Sequence, residues 1–150
     1  MTSIQRFLQT RAGWEAFVLR VPVGIILAAH GAQKLFGWFG GYGLDGTAQW
    51  MGSIGLQPGY LMALLAGAGE FFGGLMLVLG LLTRLGAALN VVAMAVALFW
   101  VHAANGFFLS NHGYEYALAL LAATASLLVM GGGKASVDGL LSTGSSQEGV

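Results

Sequence analysis

The chain has 150 residues, of which 57% are hydrophobic and only 8% charged, with a formal net charge of zero. A soluble domain carries about 25% charged residues, so a chain with a mean hydropathy of +0.77 has too little polar surface to cover a water-soluble globule. Zero net charge gives neither a nucleic-acid footprint nor an acidic-substrate funnel, and the absence of cysteine excludes disulfides, thiolate nucleophiles, Cys-ligated zinc and iron–sulfur clusters.

The remaining solvent is the bilayer, and the pattern predicts an all-α, polytopic membrane protein built as a four-helix bundle. Crossing a bilayer takes about 20 apolar residues in a helix. The first such span runs over 15–36. Small residues near Ala28 and Ala29 resemble a cleavage site only weakly, so this span is expected to be retained. The segment GGYGLDGTAQWMGSIGLQPG follows. Asp45 can cap a short helix there through Ile54, with Leu44, Trp50, Met51 and Ile54 apolar. Tryptophan favours the membrane interface, which places this helix on the outer rim, either covering the bundle mouth or simply packed there.

The second and third spans are expected over 60–82 and 85–104. Only the residues around Leu82, Thr83 and Arg84 separate them, so they form an antiparallel hairpin. Asn105 to Gly113 reads as a turn, and the fourth span covers 114–130. The closing GGGKASVDGLL completes a domain of residues 1–141, and 142–150 is a polar tail expected to be disordered. Each span is apolar on every face rather than along one stripe, which separates it from a soluble bundle helix. Arg6, Arg11, Arg84 and Lys134 lie on one side of the spans and Lys34 on the other, so both termini are expected in the cytoplasm, with the protein multi-pass in the cell (inner) membrane.

Ionisable groups inside a span are costly, about 2.5–3.5 kcal/mol each on insertion scales, and tend to face partners. On the first span, Arg20, His30 and Lys34 fall within an arc of about 80°. Arg20 lies roughly 9 Å below the helix midpoint, and His30 and Lys34 roughly 6 and 12 Å above it. Glu70 sits at the centre of the second span in AGAGEFFGG, where Gly69 and Gly73 form a small-xxx-small pair open to a neighbouring helix. Depth makes Arg20 and His30 its expected partners. His102 and Glu115 gather near the outer face with Lys34, and Tyr42, His112, Tyr114 and Tyr116 can join them. A polar path is therefore predicted on the bundle axis, from Arg20 through Glu70 and His30 to Lys34, His102 and Glu115. The plainer reading makes Arg20 a snorkelling residue and Lys34, His102 and Glu115 ordinary boundary residues. No HxxH, HxxxH or ExxH spacing supports a metal site, and none is expected.

These residues resemble the DoxX family of small four-helix membrane proteins. The matching features are Arg20, the HGAQKL run with His30, Gly31 and Lys34, and the central Glu70. GGLMLVLGLLTR, HGYEY around Glu115 and GGGKASVD with Ser136 and Asp138 complete the match, which extends from about Glu15 to Leu141. The resemblance implies membrane subunits of quinone-linked oxidoreductases or of redox complexes with soluble or membrane partner subunits. The wider group includes proteins linked to cargo export or to maturation of other proteins. No haem, Rossmann or cysteine-pair motif accompanies it.

Two readings follow. In one, the chain is a membrane subunit whose polar interior holds a quinone headgroup or relays protons, with His30, Lys34 or His102 as donors and Glu70 exchanging the proton. In the other, it is a non-enzymatic scaffold or a small-solute or lipid binder whose buried charges lock the helices. Whether the chain is itself catalytic is left open by its residues, as is a homo-oligomer. The bilayer is the expected partner and nucleic acid is not.

Overall fold

The computed structural model describes residues 12–144. It is all-helical. The elements are α1 (Glu15–Phe36), α2 (Gly43–Ser53), α3 (Gly59–Leu79), α4 (Thr83–Val96), α5 (Glu115–Met130) and α6 (Val137–Gly144). By length and composition, Glu15–Phe36, Gly59–Leu79 and Thr83–Asn105 are long and apolar enough to cross a membrane, and Glu115–Met130 is a shorter apolar helix. Helix α1 packs on α3 and α5, and α4 on α3 and α5, so α1 and α4 stand diagonally opposite. Arg6 and Arg11 lie outside the described residues, as do residues 145–150.

Glycine fixes how closely the helices approach. A Cβ added at Gly31 would press on the backbone of Phe71 and lie 2.7 Å from the Gly67 carbonyl. One at Gly24 would lie 2.7 Å from the Gly74 carbonyl. Gly24 and Gly31 on α1 thus face Gly74 and Gly67 on α3, two small residues seven apart on each helix, and the backbones touch along this seam. The α3–α4 seam is shorter. A Cβ at Gly86 would lie 2.8 Å from the Gly73 carbonyl, and one at Gly73 would meet the Asn90 amide. Gly69, expected to join Gly73 in close packing, does not: its nearest neighbour would be Leu89 at 3.9 Å.

The end carrying residues 12 and 144, the two ends of the described chain and called here the terminal end, is tied by polar contacts between distant parts of the chain. Helix α3 stops in a Schellman turn, with Leu81 N donating to the Met76 carbonyl and Gly80 N to that of Leu77. Leu82 then takes a left-handed φ of 48°, which costs a non-glycine residue about 1–2 kcal/mol. Asp138 offsets that cost. Its carboxylate accepts from Leu82 N at 2.7 Å and Thr83 N at 2.8 Å, capping α4 from across the chain. Ser136 caps α6 in turn, accepting from Gly139 N at 3.0 Å. That helix continues to Gly144, into the stretch expected to be an unstructured tail.

At the other, loop end, two details differ from the sequence expectation. Helix α2 begins at Gly43, so Asp45 lies in its first turn and does not cap it. The third span leaves α-helical geometry after Val96 and continues as a π-helix over Ala97–His102 and a 3-10 turn over Ala103–Asn105. Trp100 in the π segment donates through Nε1 to the Ile54 carbonyl at 3.0 Å, joining that segment to the α2–α3 connection.

Candidate functional site

The glycine seam between α1 and α3 determines which charges meet. Because Gly31 lies against Gly67 and Phe71, α3 is displaced toward the loop end by about a turn and a half relative to a midpoint-to-midpoint alignment. Glu70 therefore lies level with the Gly31 region, within reach of Lys34 from above and out of reach of Arg20 below. The Lys34 ammonium sits 2.5 Å from Glu70 Oε2. The Glu70 side chain is 5% exposed and that of Lys34 24%. Of the cations the sequence places on this face of α1, Lys34 makes the ion pair with Glu70, and Arg20 and His30 do not.

Around this ion pair and above it, toward the loop end, the helices border a partly open cavity of about 720 Å³. Its wall is almost entirely apolar, with Leu27, Met62, Met94 and Leu120 inside and Trp50 and Met51 from α2 at the loop side. The polar exceptions are His30, Lys34, Glu70, His102 and Tyr116. The His30 and Tyr116 rings lie 6.3 Å apart, inclined at 57°. His102 Nδ1 donates to the His112 carbonyl at 2.7 Å. The carbonyl can only accept, so Nδ1 carries a hydrogen in this bond. An oxygen-bearing head of one ring could lie between the His30, Tyr116 and Lys34 donors with apolar walls around it. Cavities of roughly 300–1,000 Å³ are the usual size for small-molecule sites.

Arg20 and Glu115 stand apart from this site. Arg20 is 1% exposed at the terminal end and donates to four backbone carbonyls. These belong to Leu77 (2.8 Å), Val78 (2.6 Å), Gly132 (3.0 Å) and Ala135. Its guanidinium also lies 5.3 Å from the Phe17 ring centre. The side chain does not snorkel; it supplies donors to the bare carbonyls at the end of α3 and in the glycine-rich closing motif. Glu115 accepts from Leu109 N at 2.6 Å and holds the loop before α5. The predicted axial path is thereby divided. His30, Lys34, Glu70 and His102 share one cavity, while Arg20 is a clamp below and Glu115 a loop staple above.

Trp50, expected on the apolar face of the short helix at the outer rim, lines the cavity from α2. One residue escaped the sequence reading. Asn90, wholly buried, donates to the Gly86 carbonyl at 2.9 Å, and its Oδ1 meets no donor among the described residues. The signal for Asn90 was a lone amide in an apolar span, four residues after Gly86.

Long apolar helices, with one ion pair among the described residues and two imidazoles beside a cavity, have the make-up of a small multi-pass membrane helical bundle. The DoxX family profile matches residues 16–103. A Bacillus subtilis (strain 168) protein named "Putative oxidoreductase CatD" is 35% identical over 103 residues, covering 69% of this chain and 70% of that one. No solved structure matches. The chain belongs to the DoxX family.

Proposed function

We propose that the protein is a membrane subunit of a quinone-linked redox complex and that the cavity above the Lys34–Glu70 pair holds the quinone ring. The observation that carries this reading is the cavity itself: apolar on nearly every wall, with His30, Tyr116 and Lys34 as the donor-bearing residues among those that line it. Those donors suit the carbonyl oxygens of a quinone, and Glu70 beside Lys34 can give or take the proton that accompanies reduction. The electrons come from a partner subunit, since the chain has no cysteine and no electron-carrier motif. The name of the Bacillus subtilis relative, an oxidoreductase, agrees with this role. Arg84 and Lys134 at the terminal end support an orientation with both termini in the cytoplasm of a cell-membrane protein.

One observation favours a second reading. Arg20 spends its donors on backbone carbonyls and locks the terminal end, so buried charge in this chain can be purely structural. Fluorescence titration separates the two. Of the four tryptophans, only Trp50 lines the cavity. A short-tailed benzoquinone should quench wild-type fluorescence saturably, with the quenched component lost in Trp50→Phe. Linear, unsaturable quenching that is the same in both proteins would assign the cavity no quinone and favour the scaffold.

A further inference from the structure

Resting on that reading, we infer that the ligand reaches the cavity sideways from the bilayer, through the seam between α3 and α4 in the loop half, head first with its tail left in lipid. The two helices touch at Gly73 and Gly86, where an added Cβ would collide with the facing backbone. One turn further along α3 the contact loosens: a Cβ added at Gly69 would meet Leu89 of α4 only at 3.9 Å, and the last polar tie across the seam is Asn90 Nδ2 donating to the Gly69 carbonyl at 3.5 Å. Beyond this point the same side chains form the cavity wall and the outer surface. Leu65 on α3 and Leu89, Val92 and Val96 on α4 all line the cavity. They are also 58%, 38%, 65% and 43% exposed. A wall residue that is also an outer-surface residue marks a mouth, and every residue of this one is apolar.

The chemistry of the two ends selects the occupant. The mouth offers nothing to an ion, and Glu70 is the twelfth of the 21 residues of α3, so the polar end of the cavity lies near the middle of the span. A phospholipid headgroup would have to leave the interface and carry its charge to that depth. No unpaired charge awaits it there, because Lys34 and Glu70 already neutralise one another. The ligand class that fits is a neutral ring bearing hydrogen-bond acceptors on a single long apolar tail. Its ring lies against His30, Lys34 and Tyr116 and its tail passes out between Leu65 and Val92.

The test uses the full chain in lipid nanodiscs, with Trp50 quenching followed in time. The probes are a benzoquinone carrying several isoprene units and the same ring without a tail. Gly69→Leu and Val92→Phe narrow the mouth from its two lips, and Val92 already faces outward, so the second change leaves the fold intact. Both variants should slow uptake of the tailed quinone about tenfold or more, within the range over which association rates vary among variants of one site. The tail-less ring should bind with nearly wild-type affinity. Unchanged uptake of the tailed quinone in both variants, or equal loss of both probes, would overturn the lateral route while leaving the quinone site standing. If wild-type protein binds neither probe, the quinone site itself fails, and the route with it.

Discussion

Replacing Glu70 by Leu leaves the Lys34 ammonium in the cavity without its counter-charge. Removing one member of a buried ion pair costs about 3–5 kcal/mol, because the other charge remains desolvated and unpaired. Lys34 keeps 24% of its side-chain surface exposed, which places the expected loss near the lower end, about 3 kcal/mol. Lys34→Met should cost a similar amount by stranding the carboxylate, whose side chain is 5% exposed. Replacing both residues removes the desolvation penalty together with the attraction, and apolar pairs of similar volume are about neutral in such exchanges. The double variant Lys34→Met, Glu70→Leu should therefore unfold within about 1 kcal/mol of wild type, giving a coupling of about 3 kcal/mol or more. Reversible unfolding of the four proteins in mixed micelles measures it. Additive losses, with coupling below about 0.5 kcal/mol, would mean that the two side chains do not pair and that the register set by Gly31 and Gly67 is wrong.

Arg20→Leu should be more damaging than either change at the ion pair, by about 4 kcal/mol or more, since charged donors to buried carbonyls contribute about 1.5–3 kcal/mol each; equal stability in the same unfolding assay would refute the clamp. Arg20→Lys should restore only part of the loss, because an ammonium has three donors in place of a guanidinium's five. Asp138→Ala should cost about 2 kcal/mol through loss of the cap on α4, and pairing it with Leu82→Gly should recover part of that by relieving the left-handed leucine. Gly31→Ala should destabilise strongly, since its Cβ would press on the Phe71 backbone, whereas Gly69→Ala should be close to neutral. Equal melting temperatures for the two glycine variants would contradict the seam.

The spans were legible because a helix facing lipid is apolar all round, a signal that local composition carries unaided. The short helix between the first two spans was legible because Leu44, Trp50, Met51 and Ile54 recur at helical spacing among turn residues. What stayed hidden was set between helices. Lys34 meets Glu70, and Arg20 does not, because glycines on α1 and α3 slide one helix along the other, and no single span encodes that displacement. Asp138 caps a helix more than fifty residues before it, a bond that only the folded chain makes. His102 ends a π segment whose sequence, ALFWVH, reads locally as an ordinary apolar helix. Gly69 and Gly73 looked alike in sequence, yet only Gly73 is pressed against the α4 backbone, while Gly69 meets α4 more loosely and borders the cavity.

The quinone site is tested most directly by the lipids that leave the membrane with the protein. Wild-type protein and the double variant His30→Ala, Tyr116→Phe, which leaves the Lys34–Glu70 pair in place, would be purified side by side from quinone-containing membranes in mild detergent, extracted with organic solvent and assayed for quinone by ultraviolet absorbance before and after reduction. The cavity predicts near-stoichiometric quinone in the wild-type extract and a background level in the variant, with both proteins equally abundant in the membrane. Equal quinone content in the two extracts, or none in either, would contradict it.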